Sequence, residues 1–452
     1  MKLKTPILDC VLNYHAKTPT RFHTPGHQGV FKGGIFKGSG YDITELSFSD
    51  NLLYTSGIIK ESEEQAAEFY GSCGTLYFTN GATSAVFAAV SAVAGYGKNI
   101  VIGRNCHKSV LAAASSNGLK PFFFDMEDDG EGYLYPAKAA AVEKALKKIP
   151  DVAAVVITSP DYFGRCAETG DIYKVVKEYG TRLITDQAHG AHFVYSGLLP
   201  LSAVGRSDYV IDSCHKTMPV YSGGAILHCS SDKFRLEAEL KRAAFHTTSP
   251  QYLTLASIDY AIARMADDGG SVYAGLYSKL HDFVRAIENT DFCYVNNENH
   301  NTSDFSRLVL NCGEYSGEQL SQELEKRNIY AEMSYGNRAV FILSPYNPNA
   351  LDKLAAAIKD IKLTEKAKEI HFPPACDTTE STLFLSGRQI EFIDIEEAEG
   401  RISAVEIGIY PPGTPAVVRG SAVTREALDY FLKNKGKLFG LIEGKVAVRV
   451  EN

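Results

Sequence analysis

No stretch of this 452-residue chain approaches the roughly 18 consecutive apolar residues that a bilayer-crossing helix requires, so a membrane span is not expected. The start, Met1-Lys-Leu-Lys-Thr-Pro6, is charged and lacks the apolar core of an export signal, so neither secretion nor anchoring is expected. Lysine and arginine form no dense cluster and the formal net charge is -8, which argues against a nucleic-acid or anionic-membrane partner. The nine cysteines are odd in number and show no C-x-x-C spacing, a pattern that fits reduced thiols in a cytoplasmic protein. Internal repeats and low-complexity segments are also missing. What is present is ordinary globular composition, 45% hydrophobic and 22% charged, in a chain long enough for two or three domains.

The most informative stretch runs from Asp208 to Gly224. A short apolar strand, Tyr209 to Asp212, stops in a polar turn carrying Lys216, and a Gly-Gly pair follows where backbone can approach a ligand. Lysine is rarely buried without a partner, so Lys216 is either ion-paired or covalently engaged. Thirty residues upstream, a second apolar run beginning at Arg182 ends in Asp186. Neighbouring strands would bring this acid and this amine to one edge of a sheet, where open α/β sheets bind ligands. The pair suits pyridoxal phosphate, which needs a lysine to hold it as a Schiff base and an acid to keep its ring nitrogen protonated. A buried Lys–Asp salt bridge is the alternative.

Apolar strands at 75–79, 99–102, 121–124 and 152–158 alternate with helical patterns at 84–94, 107–116, 136–149 and 171–179. This alternation predicts a parallel sheet covered on both faces from about residue 75 to 230. It puts His107, Ser159 to Tyr162, Asp186 and Lys216 at strand ends on one side. Asn80-Gly-Ala-Thr83 opens a helix, and the free N–H groups and positive dipole end there suit a phosphate. The same residues also read as a plain Asn-Gly turn with a capping hydroxyl. Ser62 to Tyr70 reads as a helix capped by Ser62 and ended at Gly71. The Arg21 to Gly29 loop, with His23 and His27 four apart, reads as a structural turn. His189-x-x-His192 has metal-ligand spacing, yet no third ligand is suitably placed, so no metal is expected.

Taken in order, the motifs resemble the fold-type I pyridoxal-phosphate decarboxylases of ornithine, lysine and arginine, in the shorter form without a wing domain. They are Thr24-Pro-Gly-His27, Asp42-Ile-Thr-Glu-Leu46, Asn80-Gly-Ala-Thr83, Arg104-Asn-Cys-His-Lys-Ser109, Thr158-Ser-Pro-Asp-Tyr162, Asp186-Gln-Ala-His-Gly-Ala-His192, Ser213-Cys-His-Lys216, His246-Thr-Thr-Ser-Pro250 and Tyr410-Pro-Pro-Gly-Thr-Pro415. The resemblance implies that Lys216 binds the cofactor, that Asp186 pairs with its ring nitrogen, that His107 stacks on the ring and that Ala188 packs near the other face. It implies phosphate contacts from Ala82, Thr83, Ser213 and His215, with Thr248 or Ser249 reaching across from a second subunit of a homodimer or larger oligomer. His215 is the candidate acid for returning a proton to the α-carbon, with Lys216 or a cysteine as alternatives. Residues 410–415 are expected to close near the substrate entrance.

The expected class is α/β, a fold-type I large domain with a mixed or parallel sheet plus smaller C-terminal α+β domains. Boundaries are expected at 1–35, 36–265, 266–365 and 386–452, with a turn-rich link between the last two. Two positions depart from the family pattern: Gln187 stands where a glutamate is usual, and Arg419-Gly-Ser421 where the family has Pro-Gly-Glu. Each removes a carboxylate, so both bear on whether a diamino acid's distal cation finds a partner. Three readings stand: a basic amino-acid decarboxylase making a polyamine precursor, a pyridoxal-phosphate enzyme of the same fold with another outcome such as transamination or aldol-type cleavage, and a catalytically silent relative.

Overall fold

The structure is a computed structural model and describes residues 3–31, 33–128, 133–295, 302–368, 389–409 and 415–450. The chain forms two compact units, one of residues 1–92 with 184–273 and the other of 93–183 with 274–452.

In the first unit, α1 (Pro6–Ala16) and α2 (Ile58–Tyr70) precede strand β1 (Gly74–Phe78) and α3 (Ala82–Val93). The start of α2 is not set by Ser62 as expected. Ser62 lies inside the helix, buried and bonded to Asp259. The cap comes from Asp50 instead, whose carboxylate accepts from the backbone N–H groups of Gly57 at 2.8 Å and Ile59 at 3.0 Å. Such capping is worth on the order of 1 kcal/mol. Gly71 in the left-handed region, φ 72°, ends the helix as expected.

The second unit carries the strands β2 (Asn99–Ile102), β3 (Lys120–Phe123) and β4 (Val152–Thr158), in the order β4–β2–β3 and all parallel. They alternate with α4 (Lys108–Ser116), α5 (Ala139–Leu146) and α6 (Thr169–Glu178). In the first unit the order is β1–β7–β6–β5, with β5 (Leu183–Asp186), β6 (Tyr209–Asp212) and β7 (Ala225–Cys229). β5 and β6 are parallel, but β7 is antiparallel to both β6 and β1, so the strand directions are mixed, within the mixed or parallel sheet expected. The turn from β6 to β7 contains the four-residue helix α7 (Cys214–Thr217), and α8 (Asp232–Phe245) and α9 (Tyr252–Ile287) follow. Every residue of β1, β5, β6 and β7 is buried, as expected for strands covered on both faces.

The rest of the second unit holds smaller sheets. β8 (Cys293–Tyr294), β9 (Arg307–Asn311), β10 (Met333–Tyr335) and β11 (Arg338–Ile342) form an antiparallel sheet in the order β10–β11–β9–β8, with helices α10 (Gly317–Glu325) and α11 (Ala350–Lys359). β12 (Ile390–Asp394), β13 (Ile407–Ile409), β14 (Pro415–Val417), α12 (Arg425–Lys433), β15 (Leu438–Phe439), β16 (Leu441–Ile442) and β17 (Lys445–Arg449) complete the chain. Their core includes Ile395, Val417, Leu428, Phe431 and Val446. Positions 410–414 of the expected entrance loop lie outside the described residues.

Candidate active site

Three strand ends of the first unit carry most of the residues that the sequence singled out. β5 ends in Asp186, which is 5% exposed and whose Oδ1 accepts from Ala188 N–H at 3.1 Å. β6 leads through Asp212 and Ser213 into α7, where Lys216 sits on a single helical turn. Nζ of Lys216 lies 3.1 Å from Nε2 of His189, which follows Asp186 on the loop after β5. Burial raises the Asp186 carboxyl above its ordinary value and the negative charge of Asp212 adds to this, while Lys216 and the Ala188 N–H work in the opposite direction.

His189 is the neighbour of Lys216 to which the sequence reading gave no role: it stood in the Asp186 to His192 motif and was weighed as half of a metal pair with His192. His192 instead is fully buried and stacks on Tyr273 with centroids 5.6 Å apart. Among the described residues no group of three or more His, Cys, Asp or Glu could hold a metal ion. The signal available was position: three residues past a strand-end acid, a side chain can turn back to the same sheet edge.

The turn after β1 stands beside the loop that follows Lys216. Gly81, with φ 88°, donates its N–H to Gly223 O at 2.8 Å, and a Cβ at Gly223 would meet Thr79 O at 2.6 Å. Only glycine fits there. Ala82 and Thr83 then begin α3, a 12-residue helix whose N-terminal N–H groups have no intrahelical acceptors. Ser213 is buried, and His215 has Nδ1 3.1 Å from Gly224 O. Thr248 and Ser249 are exposed. In the second unit, His107 caps α4, its Nδ1 accepting from Ser109 N–H at 3.2 Å, and Asp161 is paired with Arg165 at 2.8 Å. The histidines of the first loop act locally, His23 bonded to Tyr14 at 2.7 Å and His27 to Asp42 at 3.2 Å.

Neither departure from the family pattern leaves its side chain available for a substrate in the way expected. Gln187 is 2% exposed; its amide donates to Asp212 Oδ1 at 2.9 Å and Ser202 Oγ at 3.2 Å, and its oxygen accepts from Ala203 N–H at 2.6 Å. Asp212 in turn lies 3.2 Å from Nε2 of His228, whose Nδ1 meets Thr75 Oγ1 at 2.9 Å. The amide thus completes a buried chain across β1, β7, β6 and the end of β5. Arg419 is 8% exposed, donates Nε to Ala404 O at 2.8 Å and pairs with Glu406 at 3.5 Å. Both side chains are buried and bonded within the protein, so neither bears on the charge of a substrate as expected.

The fold is that of the fold-type I class. Residues 5–305 match the major domain of the Orn/Lys/Arg decarboxylases and residues 362–437 match the C-terminal domain of the same family; the chain belongs to that family. Arginine decarboxylase of Bacillus subtilis (strain 168) is 29% identical over 463 residues, covering 95% of this chain and 94% of the relative. Lysine decarboxylase A from Pseudomonas aeruginosa superposes with a TM-score of 0.81 at 17% identity, over 99% of this chain and 80% of that chain. A serine palmitoyltransferase solved with pyridoxal phosphate as its internal aldimine gives 0.53 at 14% identity, over 79% of this chain and 83% of that one.

Proposed function

We propose that the protein is a pyridoxal-phosphate-dependent decarboxylase of a basic amino acid, lysine, arginine or ornithine, and so yields an amine of the kind that feeds polyamine synthesis. The observation that carries this is the joining of Lys216, His189 and Asp186 at the ends of adjacent strands. The donor set suits this cofactor: an amine to bind it, a buried acid for its ring nitrogen and, beside them, a glycine turn opening a helix for its phosphate. When bound, the cofactor supplies an electron sink for the pair left as the α-carboxylate departs as carbon dioxide.

The chain's own groups then have separable tasks. Lys216 would bind the cofactor, with His189 accepting a hydrogen bond from its amine and fixing where the amine points. Asp186 would keep a proton on the ring nitrogen, for which burial beside the charge of Asp212 is suited. Ala82 and Thr83 would present N–H groups to the phosphate, assisted by Ser213 and His215, and His107 and Ala188 would take the two faces of the ring. His215 is the candidate proton donor to the α-carbon; its Nδ1 is anchored on Gly224 O, which orients the ring.

A homodimer with shared sites fits the surface. Thr248 and Ser249 are exposed, and the first unit carries uncovered apolar side chains such as Phe22 (92% exposed), Ile35 (93%) and Leu240 (73%). A cytoplasmic location fits the free cysteines and the finding that, among the described residues, no helix is long and apolar enough to cross a membrane.

The test is carbon dioxide release from lysine, arginine, ornithine, glutamate and aspartate by protein supplied with pyridoxal phosphate. Release from one or more of the three basic substrates, matched by amine, supports the reading. Keto-acid formation without carbon dioxide would indicate transamination, and failure to take up cofactor would indicate a silent relative.

A further inference from the structure

The turn thought to receive phosphate is pinned from a second side, by the end of α8. Thr79, the residue after β1, donates its backbone N–H to Nε2 of His246 at 3.0 Å, and its hydroxyl lies 3.4 Å from the same nitrogen. Nδ1 of His246 lies 2.9 Å from Thr247 O. A ring nitrogen that accepts from an amide carries no proton, so these two contacts require a neutral imidazole with its hydrogen on Nδ1. The ring is 7% exposed, so water does not readily replace the lost partner. Neighbouring bonds reinforce the same turn: Gln251 N–H to Thr79 Oγ1 at 3.3 Å and Asn80 Nδ2 to Phe245 O at 3.4 Å.

We propose that His246 is a positioning residue for the turn that opens α3, an obligate hydrogen-bond acceptor whose protonation releases Thr79 and loosens the grip of the turn on phosphate. The proposal rests on the reading of Ala82 and Thr83 as phosphate ligands. The groups that face the ring all disfavour a second positive charge or are neutral. Arg242, one turn earlier on α8, receives the backbone bond of His246 at its carbonyl, and its guanidinium is paired with Glu63 of α2. From β1 come the Phe78 ring, with centroids 5.8 Å apart, and the Thr79 hydroxyl. Burial lowers the imidazole from its ordinary value and Arg242 lowers it further, against the opposing bond to Thr247. The clamp is therefore closed at neutral pH and opens in acid.

The test compares affinity for pyridoxal phosphate and for pyridoxal, at about pH 7.5 and about pH 4.5, the lower set well below the ordinary histidine value because burial shifts this group down. Cofactor-free wild type is set against His246→Gln, whose amide oxygen can accept from Thr79 N–H but does not titrate. His246→Phe removes the acceptor altogether, and its thermal unfolding shows whether it folds. Between the two pH values, wild type should lose roughly tenfold more affinity for pyridoxal phosphate than His246→Gln does, the worth of one buried hydrogen bond. Pyridoxal should show no such excess, and folded His246→Phe should bind pyridoxal phosphate weakly at both pH values. Equal pH dependence in wild type and His246→Gln would overturn the clamp. An excess shared by pyridoxal would instead overturn the assignment of phosphate to this turn, and the proposal with it.

Discussion

Nζ of Lys216 and Nε2 of His189 are 3.1 Å apart, a hydrogen bond joining the loop after β5 to the single helical turn after β6. It ties the Lys216 amine to the loop that follows the strand end carrying Asp186, so one side chain's aim depends on another's position.

Substituting His189→Ala should lower kcat by about 10- to 100-fold, less than the loss of a group that itself transfers a proton at the reacting centre. KM for the substrate should change far less, because His189 addresses the lysine amine. His189→Gln, which restores an acceptor, should recover part of the loss. Steady-state kinetics of the three proteins check this; an unchanged kcat with raised KM would show that His189 serves substrate binding instead.

Gln187→Glu would set a second carboxylate where an amide now donates to Asp212 Oδ1 at 2.9 Å. Two carboxylates at that separation cannot both ionise, so the pair must hold a proton. The variant should lose on the order of 1–3 kcal/mol at neutral pH and regain part of it in acid, where the proton is supplied. Unfolding in urea across that range measures it. The ranking of lysine, arginine and ornithine as substrates should stay as in wild type; a changed ranking without lost stability would return Gln187 to the substrate pocket.

How far such features could be read beforehand differs from residue to residue. Lys216 and Asp186 were legible because each ends a short apolar run, and strand ends of an open α/β sheet are where ligands lie. His189 was overlooked because its spacing to His192 suggested a metal, and only the loop's reversal brings it to Lys216. β7 escaped notice because the apolar run Ala225–Cys229 is interrupted by His228, whose burial makes sense only once Asp212 and Thr75 lie across from it. The cap of α2 was misplaced for a related reason: Asp50 reaches it from outside the helix, whereas Ser62 is drawn inward by Asp259. Partners distant in sequence decided each of these cases.

Asp259 offers a stability test independent of the active site. Its carboxylate accepts from Ile7 and Leu8 N–H at the start of α1, at 3.0 and 3.1 Å, and from Ser62 Oγ at 2.6 Å. Burial nevertheless raises it to about 6, the hydrogen bonds only partly opposing. The folded value exceeds the unfolded one of about 3.9. The native chain therefore keeps a proton that the unfolded chain has released, and this group's contribution to stability falls as pH rises from about 4 to about 6 and is level above. Asp259→Asn removes the titration, so its stability relative to wild type should rise across that window by on the order of 3 kcal/mol. Thermal unfolding of both proteins at a series of pH values would show it; a flat or falling difference contradicts the reading.

Lys216 is the residue proposed to carry the cofactor. Borohydride reduction of the holoenzyme followed by mass mapping of its peptides should find pyridoxal phosphate fixed to Lys216, and Lys216→Ala should acquire neither the label nor decarboxylase activity while remaining folded. Label on a different lysine, or stoichiometric label in Lys216→Ala, would contradict the account.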